Sequence, residues 1–215
     1  MIIKLVRHGQ SQANTGEVLA HEIGDHTVEL TALGHDQARA AGHLIGAEFV
    51  SQAMIYRSPF RRTRQTLESL IAGSGVPRES LRVYEDPRLR EVDGGYVGRE
   101  PQAELRRVHG WFYYRFQGGE SPADCYDRTS TFLESLMRQA KRKDAERILI
   151  VTHGITIRCF AMRFFHLSVE QFESIDLLDN CGIVTIGPTE VIDRPQFTSG
   201  RWAVAGLKLR EPGEG

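Results

Sequence analysis

Three observations predict an α/β fold: a three-layer α/β/α sandwich with a largely parallel central sheet and a small inserted, mainly helical subdomain. Short runs rich in Ile, Leu and Val ("IIKLV", residues 2–6; "RILIVT", residues 147–152) read as strands buried on both faces. Segments of helical period alternate with them along the chain. Between about residues 85 and 120 the texture changes, becoming charged, glycine-interrupted and then aromatic in "WFYYRF". The 215 residues suit one domain, 1–215, carrying this cap-like insert and burying roughly 70% of its unfolded surface.

The first strand is "IIKLV". After a polar loop, Thr31 is placed to cap a helix whose Ala38, Ala41, Ile45 and Phe49 share one face. "AMIYRSPF" reads as a strand running into a helix, with Ser58 as cap, Pro59 at the first helical position and Gly73 just past the end. Beyond the insert, Ser121, Pro122 and Asp124 have the form of a capping box. Cys125, Thr129, Phe132, Leu133, Leu136, Met137 and Ala140 then trace one helical face. "RILIVT" follows, then a helix over about 155–165. "GIVTI" and "WAVAGLKL" supply later strands, and the tail "REPGEG" is expected to fray.

Composition excludes several function classes. With 27 basic and 28 acidic side chains the net charge is −1, which points to neither nucleic acid nor an acidic membrane as partner. Cys125, Cys159 and Cys181 are widely spaced without a CxxC pair, which favours a reducing, cytoplasmic setting and speaks against structural zinc. "MIIKLVRHG" is too short and too soon basic for a signal peptide, and no apolar run has membrane-spanning length.

Two strands end on His-Gly: His8 after "IIKLVR" and His153 after "RILIVT". In open α/β sheets the carboxyl ends of the strands hold ligands. A lone histidine there is ordinarily a satisfied loop or core residue. Two at the ends of apolar strands, each followed by glycine and one preceded by Arg7, point instead to a shared site. Glycine admits a ligand close to the backbone, and guanidinium matches phosphate oxygens. A neutral imidazole can attack phosphorus. The combination suits phosphoryl transfer, where the protein mainly positions the group and neutralises its charge.

Six segments carry a specific resemblance. "LVRHGQSQAN", "LTALGHDQA", "RSPFRRTRQT", "LREVDGG", "GGESPADCYDR" and "VTHGITIR" are similar, in order, to the motifs of the histidine phosphatase superfamily, phosphoglycerate mutase-like branch. The resemblance implies that His8 attacks phosphorus and becomes a phosphohistidine. It implies that Arg7, Arg62 and His153 clamp the phosphoryl oxygens, with Asn14 as a neutral donor and Gly154 bringing its backbone to the phosphate. Glu91 falls at the family's general acid, a role that requires a carboxyl able to hold its proton near neutral pH through burial or a neighbouring dianion. A backbone carbonyl holding one ring proton would set the His8 tautomer. No cofactor and no metal are implied, and the partner is a small-molecule phosphate ester.

Competing readings stand beside these. Arg57, Arg61, Arg62 and Arg64 could form a solvated basic face, but at helical spacing they diverge, and only Arg62 is assigned to the site. Glu91 could simply pair with Arg88 or Arg90, and Glu120 reads as a helix-entry residue. His21 and His26 could join His8 and His153 around a metal, yet no metal-ligand spacing supports it. Trp111, Phe112, Tyr113, Tyr114 and Phe116 read as subdomain core or dimer contact, with one or two rings at the pocket mouth.

The loop after Glu91 departs from the family pattern. Mutases of the branch show E-R-H-Y-G after the acid, and many phosphatases D-F-G-x-W-E-G. This chain has Asp93-Gly94-Gly95-Tyr96-Val97-Gly98, so a more mobile loop is expected there. Hydrolysis is the better reading, phosphoglycerate mutase-type transfer the alternative, and a catalytically idle interaction module of the same fold the second alternative. A homodimer is no more than the general prior for soluble proteins.

Overall fold

The computed structural model describes residues 1–97 and 102–210, so Gly98 and the tail residues 211–215 lie outside the described residues. In chain order the strands are β1 (Ile2–Arg7), β2 (Met54–Arg57), β3 (Val83–Glu85), β4 (Arg147–Thr152), β5 (Ile183–Pro188), β6 (Phe197–Ser199) and β7 (Trp202–Ala205). The helices are α1 (Gln12–Thr15), α2 (Ala20–Ile23), α3 (Ala32–Ile45), α4 (Ala47–Gln52) and α5 (Arg61–Ser74), then α6 (Ala103–His109), α7 (Pro122–Lys143), α8 (Gly154–Phe165) and α9 (Val169–Ser174).

Side chains alternate across the central strands. Ile3 and Leu5 of β1, with Ile148 and Ile150 of β4, enter one core, while Val6, Leu149 and Val151 enter another. A strand apolar on both faces needs cover on both, and helices supply it. α7, α8 and α9 bring Phe132, Phe160 and Phe172 to the first core. α3, α4 and α5 bring Ile45, Phe49, Leu67 and Leu70 to the second.

Among the described residues seven strands form a single mixed sheet in the order β3-β2-β4-β1-β5-β7-β6. The four from β3 to β1 pair in parallel, and β5, β7 and β6 are added antiparallel. The expected parallel sheet is therefore the half from β3 to β1. No helix separates β5, β6 and β7, and strands joined without a crossover pair antiparallel.

Local signals place most boundaries. The Thr31 side chain caps α3 by accepting from the Gly34 N–H, and Ser121 and Asp124 close a reciprocal capping box on α7. Gly46, at φ 84°, splits the helix expected over residues 31–49 into α3 and α4. The helix after β2 differs from expectation at both ends. Its N-cap is Phe60 rather than Ser58, because Ser58 Oγ forms a tight turn with the Phe60 N–H (3.3 Å) and faces His153. Its C-cap is Gly75, and Gly73 lies inside the helix, where α3 crosses. A Cβ on Gly73 would sit 2.1 Å from the Arg39 carbonyl oxygen. Gly73→Ala is therefore expected to destabilise the fold by about 1–3 kcal/mol, read as a lower urea midpoint. An unchanged midpoint would show that the two helices separate freely.

Between residues 85 and 120 the described residues form α6, a 3-10 turn at Pro87–Leu89, and connecting turns. Phe112 and Phe116 are buried in the first core with Leu89 and Val92, and Trp111 stacks on Phe172 at 5.4 Å between ring centroids. Tyr113 is exposed. Among the described residues, no helix is long and apolar enough to cross a membrane.

Candidate active site

Strand register brings the two histidines together. β1 and β4 are parallel neighbours with Arg7 opposite Thr152, so the next residues, His8 and His153, emerge side by side. The His8 N–H donates to the Thr152 carbonyl (2.9 Å), and the two rings meet edge-on with centroids 5.3 Å apart. β2 ends beside β4, where the Ser58 N–H donates to the Val151 carbonyl (3.1 Å), and this delivers Ser58 and the start of α5 to the same edge. Gly9 fits because it packs on α3: a Cβ there would lie 2.4 Å from the Gly34 carbonyl oxygen.

The His8 ring proton has a defined place. His8 Nδ1 lies 2.8 Å from the Gly9 carbonyl, an acceptor, so Nδ1 carries the proton and Nε2 keeps its lone pair. His153 Nε2 lies 2.8 Å from Ser58 Oγ. That hydroxyl also accepts from the Phe60 N–H, and the other ring nitrogen, His153 Nδ1, is buried and without a partner. Arg7 donates to the Leu178 carbonyl, and its Nε is likewise buried and unpartnered. Buried polar atoms are almost always satisfied, so such orphans at the strand ends point to a bound polar group.

Burial, followed by the charges of Arg62 and Arg7, holds the His8 imidazole well below its ordinary titration range, against the opposing pull of the Gly9 bond. His153 is lowered in the same way, by burial first and then by Arg62. Both rings are therefore neutral at pH 7. The sign for stability follows: below pH 6.5 the unfolded chain takes up these protons and the folded chain does not. Stability is fully present above that pH and declines by about 1.4 kcal/mol per pH unit per histidine as the pH falls. Urea midpoints from pH 7 to 5 are expected to fall, and to fall less steeply in His153→Gln. Equal slopes for the two proteins would contradict the buried neutral ring.

Arg62 is 4% exposed and grips Asp25. Its Cζ lies 4.9 Å from the Phe60 ring centroid, and the same ring meets His153 edge-on at 5.1 Å. Arg57, Arg61 and Arg64 turn to Glu85, Glu29 and Glu68, so the four arginines diverge. Glu91 is 8% exposed and pairs with neither Arg88 nor Arg90, which bind Asp86 and Glu120. Its carboxyl accepts from the Val92 N–H (2.9 Å) and the Ile155 N–H (3.4 Å) in the first turn of α8, whose N-terminal amides lack partners within the helix.

The Glu91 backbone is pinned from below. Thr152 donates to the Leu89 carbonyl, Thr156 to the Arg90 carbonyl, and Arg128 to the Arg88 and Arg90 carbonyls. Glu120 pairs with Arg90 and Arg128 at the entry to α7. Gly154 opens α8, and Arg7 Nε lies 3.6 Å from where its Cβ would be.

Asn14 lies in α1, and its side chain is held at the carbonyl end. Its side-chain carbonyl accepts from Ser11 and from Asn180 Nδ2 (3.1 Å), so only its amide NH2 remains to meet an anion. Asn180 Nδ2 also reaches the His8 carbonyl (3.2 Å), tying Asn14 to the end of β1. Ser58 and Phe60 lie within the segment "RSPFRRTRQT", where Ser58 has the form of a helix cap, whereas nothing local in the sequence marks Asn180 or Asp25.

Among the described residues no three His, Cys, Asp or Glu side chains gather as a metal-binding group, and His21 and His26 are exposed. Two surface grooves of about 550 and 470 Å³ lie elsewhere; Tyr84 and Arg147 line the first, Arg138 and Arg142 the second. The histidine pair stands out by its chemistry rather than by volume.

Comparison with known proteins shows the family. The family model for the histidine phosphatase superfamily (branch 1) matches residues 3–201. The phosphoglycerate mutase-like protein AT74H of Arabidopsis thaliana is 36% identical, over 83% of this chain and 71% of its own. The broad-range acid phosphatase DET1 of Saccharomyces cerevisiae is 26% identical, over 90% and 87%. A mycobacterial glucosyl-3-phosphoglycerate phosphatase, solved with VO3, shares the fold at a TM-score of 0.73 and 23% identity, covering 97% of this chain and 99% of that one. By the family model over residues 3–201 and the 36% identity to AT74H, the chain belongs to branch 1 of the histidine phosphatase superfamily.

Proposed function

We propose that the protein is a phosphomonoester hydrolase that works without a metal, through a phosphohistidine on His8, on a small phosphorylated molecule. The observation that carries this reading is the His8 tautomer. With Nδ1 bound to the Gly9 carbonyl, Nε2 is a neutral nucleophile at the end of β1. With the Ser58 hydroxyl donating to His153 Nε2, the unpartnered Arg7 Nε and His153 Nδ1, together with Arg62, supply donors for the equatorial oxygens. Asn14 and the Gly154 backbone complete that anion-binding set.

In the first step His8 Nε2 attacks phosphorus, and the P–N bond forms as the ester P–O bond breaks. The Glu91 carboxyl gives its proton to the departing alcohol oxygen. In the second step Glu91 takes a proton from water as that water attacks phosphorus. The P–N bond then breaks, and inorganic phosphate and neutral His8 are restored.

Relatives on both sides of the phosphatase–mutase divide, among them a 2,3-bisphosphoglycerate-dependent phosphoglycerate mutase of Azorhizobium caulinodans at 30% identity, make the acceptor the open variable. The missing E-R-H-Y-G pattern favours water. The test is release of phosphate from para-nitrophenyl phosphate in excess chelator. Turnover there is expected; a requirement for a divalent ion, or faster interconversion of 2- and 3-phosphoglycerate with a bisphosphate primer, would overturn the reading.

A further inference from the structure

We propose that Asp25 is a positioning residue for Arg62, gripping one edge of the guanidinium so that the other edge meets the phosphoryl oxygens. This inference rests on the reading of Arg62 as a phosphate clamp. A guanidinium has five N–H donors in a rigid plane and two edges able to bind an oxyanion in bidentate fashion. Asp25 takes one of them. Arg62 Nη1 donates to the Asp25 carbonyl (2.7 Å) and to Oδ1 (2.7 Å), and Nη2 donates to Oδ2 (3.2 Å). Nε–H and the second Nη2–H remain, and together they form the opposite edge.

The Phe60 ring against the guanidinium and the burial of Arg62 restrict the remaining rotations. A long flexible side chain is thereby presented in one orientation before any anion arrives, which is how positioning contributes to rate.

The segment bearing Asp25 is fastened independently of it. Arg61 pairs with Glu29 (2.6 Å), Gln65 accepts from the Leu30 N–H (2.8 Å), and Val28 is fully buried. Truncating the Asp25 side chain thus leaves that segment docked on the first turns of α5. Charge and orientation also predict opposite signs. A nearby carboxylate weakens the positive field, so if charge alone mattered, removing it would tighten phosphate binding. If Asp25 aims Arg62, removing it loosens binding.

The experiment is a double-mutant cycle of Asp25→Ala and Arg62→Ala. Its readouts are KM and kcat with para-nitrophenyl phosphate and the inhibition constant of inorganic phosphate. Asp25→Ala is expected to raise KM and the phosphate constant by about tenfold. In the Arg62→Ala background it should add nothing. Asp25→Asn, which keeps one carbonyl acceptor, should recover part of the loss, and it serves as the test variant if the alanine protein does not fold. Tighter phosphate binding in Asp25→Ala, or losses that add in the double variant, would overturn the role of Asp25 alone. An Arg62→Ala protein with unchanged KM, kcat and phosphate inhibition would overturn the clamp reading and this inference with it.

Discussion

Replacing His8 with alanine is expected to lower kcat on an aryl phosphate by about four to six orders of magnitude, the scale seen when a covalent nucleophile is deleted. The ring is 4% exposed and its Nδ1 is bound to the Gly9 carbonyl, so the nucleophile lost is a single fixed Nε2 lone pair. His153 is the nearest candidate, but its Nε2 is bound to Ser58. Rapid quench should show acid-labile, protein-bound phosphate in the parent protein and none in the variant. A variant retaining activity within tenfold of the parent would remove the phosphohistidine from the mechanism. His153→Ala should cost less, about two to three orders, since it removes one donor and keeps the nucleophile.

Glu91→Gln is the second large effect, and its diagnostic lies in the leaving group. General acid catalysis is worth about two to four orders of magnitude when the departing oxygen needs a proton. Nitrophenolate leaves without one, whereas an alkoxide does not. The loss on glycerol phosphate should therefore exceed the loss on para-nitrophenyl phosphate by at least about tenfold. Glutamine retains a carbonyl acceptor for the Val92 or Ile155 N–H, so the local backbone is preserved. Equal losses on both esters would assign Glu91 to holding the first turn of α8 rather than to proton transfer.

Much of this was legible in the chain. "IIKLV" and "RILIVT" announce strands buried on both faces because each has apolar residues at successive positions, and both lie at the centre of the sheet. Thr31 and the Ser121–Asp124 box announce helix starts because a cap is a local hydrogen bond. Strands β3 and β6 were not legible. They are three residues long, lie at the two edges of the sheet and carry too few side chains to display a period. The start of α5 was misread because Ser58 and Pro59 look like a cap and a first turn, while the Ser58 hydroxyl is engaged 95 residues along the chain with His153.

The sequence by itself determined the two central strands, the main helix faces and the chemical types available: two imidazoles after apolar runs, arginines in motif positions, and a carboxylate at residue 91. These are short-range properties, set by side-chain period and capping, and they survive without knowledge of neighbours. Only the tertiary structure decided which ring nitrogen is free, that Asp25 and Phe60 hold Arg62, and that Glu91 meets backbone amides instead of a nearby arginine. Those outcomes depend on strand register and on hydrogen bonds between residues far apart in the chain, and neither leaves a periodic trace in the order of amino acids.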